Sequence, residues 1–400
     1  MTDRDLAFDE KASIARLLRF LSVEGITGQE KAIGQEVVRA LVEAGIPRRA
    51  IRFDDANQRI PLPTQTGNLL VSLPGTRPGP TRLLMTHLDT VPLCAGAKPV
   101  RQRNRIKPAG KTALGGDNRT GVACLVTVAA TLQKRGLPHG PLTLLFTVRE
   151  ESGLWGARFV NVDKLSQPPL AFNVDGSHPS DLTLGAVGAE RWEVDVFGKA
   201  AHAGGHPERG ISATAVASMA LTDVVKAGWF GKVVQRTGEG TSNVGTFGGA
   251  NGQCAGQATN VVTDYARLTG ESRSHEPRFF RAITAAYRDA FCAAAQQVHD
   301  DKGRIAKVHF KSRLDYYPFR LKPDAPVVKL AETAAKRAGL KPNLRITNGG
   351  LDANWMVRHG IPTVTFGAGQ RNVHTIEEYV DLTDYLDGCR FALALATAED

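Results

Sequence analysis

Apolar positions recur with two periods along this chain of 400 residues. Ile14, Leu17, Leu18 and Leu21 fall at i, i+3, i+4 and i+7, which predicts an amphipathic helix. A second helix is expected at "TGQE", where Thr27 caps and Glu30 completes a capping box. It should end before Gly45, a candidate C′ glycine, with Pro47 beyond. Short apolar runs then alternate with helical stretches: "NLLVSLP" (68–74), "RLLMTHLDT" (82–90), "LTLLFTV" (142–148) and "LAFNVDG" (170–176). Between them, residues 119–135 read as a helix that is apolar nearly all round. Strands that are apolar on both faces belong to a sheet covered on both faces. The pattern predicts an α/β fold with a mostly parallel sheet.

The middle of the chain changes period. "RWEVDVFGK" (191–199) alternates Trp192, Val194 and Val196 with charges, as a half-exposed strand does. A helix is expected over 211–227, strands around 242–248 and 259–272, a helix over 277–299 and a strand over 306–314. The order β-α-β-β-α-β is that of a ferredoxin-like α+β sandwich, with one free face and one free edge. A helix (325–338), the segment "GGLDANWMVRHG", a strand "PTVTFG" and a last helix restore the covered pattern. The expected division is therefore 1–188 and 315–400 as one domain, with 189–314 inserted as a second.

Composition and charge narrow the picture by exclusion. The net charge is +10. The densest basic run, "RQRNRIK" at 101–107, spaces Arg101, Arg103, Arg105 and Lys107 at period two, as on the solvent face of one strand. No helix-turn-helix, zinc-finger or RNP-like pattern accompanies it, so no nucleic-acid partner is expected. No apolar run approaches the roughly 20 residues of a membrane helix. The polar start, "MTDRDLAFDEKAS", does not read as a signal peptide. The five cysteines (Cys94, Cys124, Cys254, Cys292, Cys389) are scattered and lack any C-x-x-C. That argues against a disulfide framework and a zinc ribbon, and makes the cytoplasm the expected compartment.

The ends of the expected strands carry the chemistry. His87 and Asp89 stand at i and i+2, so they point to the same side. Asp117 sits where a helix begins, Glu150 and Glu151 follow the third strand, Asp175 follows the fourth, and His374 follows the last. Each alone has a plain explanation: a cap for Asp117 or Asp175, a satisfied interior histidine for His87 or His374. Together they put five carboxylates and two histidines at the carboxyl ends of strands, where ligands collect in open α/β sheets. Five negative charges converging in a low-dielectric cleft repel unless cations sit among them. Two zinc ions would do so. One bridging carboxylate, and one histidine and one carboxylate for each ion, uses both histidines and three acids. Two acids are then left for other work.

"MTHLDTVP", "GGDNRTGVA", "REESGLWGA", "NVDG", "GKAAHAGGHPERGISA" and "NVHTIEEY" resemble, in order, the motifs of the di-zinc exopeptidases related to peptidase T, the bacterial carnosine-type dipeptidases, carboxypeptidase G and the aminoacylases. The resemblance covers about 85 to 378 and is nearest to peptidase T. It implies a catalytic α/β domain interrupted by a ferredoxin-like lid that commonly forms a homodimer. It implies two zinc ions, or another divalent metal such as cobalt or manganese. His87 and Asp175 would hold one ion, Glu151 and His374 the other, and Asp117 would bridge. Asp89 would orient His87, and Glu150 would be the general base. His202 would steady the oxyanion, Asn260 and Arg273 would contact substrate, and Gly349 and Gly350 would let the backbone approach it. His206 reads as a plain loop residue. Asp117-Asn118 replaces an Asp-Asp pair that is often cis in the family, and Cys94 reads as a buried free thiol. Asp at 175 matches the aminopeptidase and dipeptidase branches. The expected activity is hydrolysis of short peptides with a free N-terminus. The alternatives are an N-acyl-amino-acid amidohydrolase or carboxypeptidase of the same fold and, more distantly, a non-catalytic binding protein.

Overall fold

The computed structural model describes residues 6–166 and 168–399. Residues 1–5, where the polar N-terminal stretch begins, lie outside the described residues, as do Gln167 and Asp400. The chain forms two compact units. One comprises Met1–Gly185, Phe319–Thr347 and Leu351–Asp400; the other comprises Ala186–Pro318 with Asn348–Gly350.

The first unit is built on a nine-stranded sheet. Its four central strands run parallel, in the order Leu142–Thr147, Arg82–His87, Leu170–Val174, Thr363–Phe366. Antiparallel strands flank them, Leu69–Leu73 on one side and Asp181–Ala186 on the other. Every residue of Leu142–Thr147 and Arg82–His87 is buried, as their unbroken apolar runs require. Leu84, Leu144, Phe146 and Phe172 are fully inaccessible, and each such side chain contributes roughly 1.5–3 kcal/mol. Helix Gly116–Arg135 packs on Arg82–His87 and against helices Glu10–Leu21 and Leu382–Thr397. From Gly116 to Leu132 only Asp117 and Ala130 escape burial, which explains its lack of a polar face. The parallel register, Arg82 opposite Leu142 and Leu170, brings the carboxyl ends of these strands to one edge.

The second unit is a five-stranded antiparallel sheet in the order Gly231–Gln235, Gly238–Gly248, Tyr265–Ser274, Gly188–Phe197, Lys307–Tyr316. Trp192, Val194, Val196 and Leu268 face helices Ala213–Lys226 and Pro277–Ala295 across one core. The other face carries a ladder of ion pairs, including Arg191–Asp315 at 2.8 Å and Arg267–Asp195 at 3.0 Å.

Several local expectations fail for physical reasons. The Thr27–Glu30 capping box does not form. The helix runs Lys31–Glu43 with no side-chain cap, because the Glu30 carboxylate is used elsewhere and Thr27 donates to Ser152 Oγ at 2.9 Å. The run 101–107 is not one strand face. It turns at Arg103 (φ 55°) into a hairpin of Pro99–Gln102 with Arg105–Pro108, and Arg105 lies over the Tyr379 ring. That hairpin belongs to a third, four-stranded sheet that the sequence pattern does not announce. Strand Gly231–Gln235 was not expected at all, strand 259–272 starts only at Tyr265, and the helix expected to 299 ends at Ala295.

Candidate metal centre

Three of the parallel strands deliver an acid or imidazole at or just past their ends, while Asp117 comes from the start of helix Gly116–Arg135 and His374 from the loop after Gln370–Arg371. His87 closes Arg82–His87 and is 1 % exposed. Its Nδ1 faces only oxygens, the Asp89 carbonyl at 3.1 Å and carboxylate at 3.4 Å. Nδ1 is therefore held as a donor to Asp89, which leaves Nε2, turned toward Asp117 and Asp175, as the nitrogen a metal would use. Nε2 lies 3.1 Å from Asp117 Oδ1 and 3.8 Å from Asp175 Oδ1. Asp117 turns its other oxygen away: Oδ2 is 3.3 Å from His374 Nε2. That same nitrogen is 3.0 Å from Glu151 Oε2. One carboxylate thus presents one oxygen to each of two His–acid pairs. His87, Asp117 and Glu151 each place a donor atom within 4.8 Å of the others, a spacing one cation can span. Among the described residues the Asp117 side chain caps no helix N–H; the Asp117-Asn118 peptide is cis, and the helix becomes regular only after it.

Backbone anchors set the remaining geometry. Asp89 is wholly buried and divides its carboxylate between neighbours, taking the N–H of Glu150 at 3.0 Å and of Glu151 at 3.1 Å. It binds both strand-end loops and the His87 ring. Arg149 takes φ 53° and His374 φ 64°, conformations costly for residues with a Cβ. Arg149 is held there by Thr64 Oγ1 at 2.7 Å and Ser152 Oγ at 3.1 Å.

The acids and imidazoles polarise each other. Burial pushes Glu150 well above the usual carboxylate range, with Asp175, Glu151 and Asp352 adding to the rise. Burial, then Asp117, raises Glu151 to about 7. Burial also pushes Asp117 up, but hydrogen bonds from His374 and His87 outweigh it and hold that carboxyl low. Burial lowers His87, but Asp117, Asp175 and Asp89 together lift it well above its ordinary value. Hydrogen bonds to Asp117 and Glu151 raise His374 to about 10. The surplus of carboxylate thus favours positive charge at each imidazole, and divalent cations would offset it. Two imidazoles and three carboxylates, all oxygen and nitrogen donors, suit a pair of such ions.

Two anchoring acids escaped the sequence reading. Glu378 is 1 % exposed and accepts three N–H groups: Leu114 at 2.7 Å, Gly115 at 2.9 Å and Asp117 at 3.1 Å. Glu30 accepts Gly28 N–H at 2.6 Å and Arg149 N–H at 3.1 Å. Burial, then Asp89, raises Glu30 to about 7. Glu378 lies in the quoted "NVHTIEEY"; nothing in that string separates it from exposed Glu377.

The other expected site residues lie in the second unit. His202 is exposed, and its Nδ1 accepts N–H from Gly204 at 3.1 Å and Gly205 at 2.9 Å. The ring proton is therefore on Nε2, a donor pointing outward. Asn260 is exposed on the adjoining segment, where its carbonyl accepts Ala203 N–H at 2.9 Å. Arg273 is gripped by Glu271, through Nε at 2.9 Å and Nη2 at 3.0 Å. Gly350 follows Gly349 and packs on Tyr316: a Cβ there would meet the ring at 2.4 Å. The missing side chain at 350 is thus already used by the fold. His206 is exposed with Glu208 beside it, as a loop residue would be.

Strand ends that pool imidazole and carboxylate at the edge of a parallel sheet define a metallohydrolase. Residues 83–398 match the model of peptidase family M20/M25/M40, and the chain belongs to that family. It is a metallo-exopeptidase, a hydrolase of peptide bonds. It is 30% identical to the uncharacterized protein YqjE of Bacillus subtilis, over 97% of this chain and 98% of that one. A tripeptidase from Staphylococcus aureus superposes with a TM-score of 0.84 at 27% identity, covering 98% of both chains. The aminopeptidase PepT from Bacillus cereus gives 0.80 at 27%, again over 98% of both. Among the described residues no helix is long and apolar enough to cross a membrane.

Proposed function

We propose that this chain is a two-metal aminopeptidase that removes residues from short peptides with a free N-terminus. The observation that carries the reading is Asp117, with one oxygen toward His87 and Asp175 and the other toward His374 and Glu151. His87 and Asp175 would hold one ion, His374 and Glu151 the second, and Asp117 both. Zinc is the proposed metal, since the donor set matches its N/O preference. Bound there, the ions would polarise the scissile carbonyl and acidify a water. Glu150, the acid not needed as a ligand, takes the proton of the attacking water on its carboxylate and passes it to the departing nitrogen. Asp89 keeps Glu150 and Glu151 on separate tasks through their N–H groups. His202 offers its Nε2–H to the developing oxyanion. Arg273 meets a substrate carboxylate with Nη1, since Glu271 engages Nε and Nη2. Asn260 and the Gly349–Gly350 loop line the same substrate.

The preference for short, unblocked peptides is supported by likeness to a tripeptidase and an aminopeptidase along nearly the whole chain. We place the enzyme in the cytoplasm as a homodimer joined through the second unit. Matched di- and tripeptides, free and N-acetylated, incubated with enzyme and zinc, cobalt or manganese and read by mass spectrometry, test the reading. Cleavage of the free member with slow or no cleavage of the acetylated one is expected. Preferential cleavage of the acetylated member would replace it with an N-acyl-amino-acid amidohydrolase.

A further inference from the structure

Arg119 makes a poor structural filler and an informative one. Its side chain is among the largest wholly buried in the molecule, at 2 % exposure. Among the described residues no carboxylate forms an ion pair with it. A buried guanidinium without a carboxylate partner is costly, because it stays charged and loses its water. A methionine of similar length would fill the space without that cost.

Its contacts show what it does. Nε donates to the carbonyl of Phe20 at 3.2 Å and Nη2 to that of Val23 at 3.2 Å. Nη1 donates to the carbonyl of Leu88. Leu88 stands between His87 and Asp89, and its own N–H donates to the Thr147 carbonyl at 2.7 Å. Its backbone is therefore held from two sides. The Thr147 strand leads on to Glu150 and Glu151, whose N–H groups are held by Asp89. Arg119 itself stands two residues past Asp117, and its N–H donates to Gly115 at 3.1 Å. The guanidinium fork ties the loop bearing the bridging carboxylate to the strand end bearing His87 and Asp89.

We propose that Arg119 is a positioning residue for the metal centre: through Leu88 it fixes the spacing of His87 and Asp89 relative to Asp117, and it supplies a permanent positive charge beside the acids. This rests on the two-metal reading above. Lysine would keep the charge but not the planar fork that reaches three carbonyls at once. Contacts that orient metal ligands are worth roughly 10–100-fold in affinity or activity when removed.

A matched control lies on the strand that ends in His87. Arg82 is also buried and also donates to backbone carbonyls, those of Leu395 at 3.2 Å and Ala398 at 2.7 Å, but at the end of the strand remote from His87. The experiment compares wild type, Arg119→Met, Arg119→Lys and Arg82→Met. Zinc affinity is read by competition with a chelating dye, folding by near-UV circular dichroism and melting, and kcat and KM on a tripeptide. Both methionine variants should melt lower. Arg119→Met should also bind at least one zinc roughly ten to a hundredfold more weakly and lose kcat by about the same factor, with KM changed little. Arg119→Lys should recover part of the zinc affinity and little of the kcat. Arg82→Met should keep both within about twofold. Wild-type zinc affinity in folded Arg119→Met overturns the proposal. If Arg119→Met does not fold, wild-type affinity and kcat in Arg119→Lys overturn it. If neither folds, Arg119 is a folding residue and the proposal falls. Failure of wild type itself to bind two metals would instead defeat the two-metal reading.

Discussion

Glu150 and Glu151 share a peptide bond yet meet different surroundings. Glu151 reaches His374 at 3.0 Å, whereas Glu150 is buried beside Asp175 and Asp352. Glu150→Gln should therefore retain both metals and the fold but lose kcat by at least about a hundredfold, the usual size of a general-base contribution. Glu151→Gln should instead lower metal occupancy, read by atomic absorption on gel-filtered protein. Near wild-type turnover in Glu150→Gln would make that residue structural. The seven strand-end residues were legible because imidazole and carboxylate stand out against apolar strands. Glu30 was misread as half of a capping box, because a local pattern cannot show that Arg149, distant in sequence, competes for its carboxylate. Arg273 could be named as a cation, but not as one already gripped by Glu271, since that pairing depends on side-chain direction on a strand face.

At the scale of elements, the loop 114–117 is shaped by one side chain. Glu378 collects three buried N–H groups at once. Removing an acceptor leaves each donor unsatisfied at roughly 1–3 kcal/mol, with rearrangement and water recovering part. Glu378→Ala should thus lower stability by about 2–4 kcal/mol in urea titration and weaken metal binding by about tenfold because Asp117 loses its seat. Glu378→Gln keeps an acceptor oxygen and should recover most of both. An unchanged zinc affinity in folded Glu378→Ala would show that the loop 114–117 holds its shape without that carboxylate. The covered strands and the central helix were legible from apolar runs, because burial on both faces leaves no other composition. The hairpin Gly231–Gln235 with Gly238–Gly248 was legible only in its second strand, expected around 242–248: five of its residues are glycine, and only Val233 and Ser242 are buried. Its strands come from backbone pairing along a mostly solvent-facing edge, which leaves little hydrophobic alternation to read.

For the whole molecule, stability, metal content and assembly should be coupled. Five acids near the centre repel in the absence of cations, so saturating zinc should raise the melting temperature and a chelator should reverse it. Asp117→Ala should lower occupancy at both positions, where a terminal ligand such as Asp175 should affect one; one metal per chain with full activity would defeat the two-metal reading. The proposed assembly would run through the second unit. Among the described residues strand Gly231–Gln235 pairs on one side only, and Val234 is 63% exposed with Phe230 at 42%. An open edge with apolar side chains invites a second copy. A homodimer is expected in sedimentation, and Val234→Lys should shift it toward monomer. His202 tests whether assembly matters to catalysis. If, as proposed, its Nε2–H serves the oxyanion, His202→Ala should lower kcat far more than KM. If that histidine serves the partner's centre, mixing His202→Ala with Glu150→Gln should restore up to about a quarter of wild-type activity. That follows because random exchange makes half the dimers mixed, and each mixed dimer holds one centre with both groups intact. No recovery after verified subunit exchange would place His202 in the service of its own chain or outside catalysis, and the kcat and KM of the single variant would separate those two.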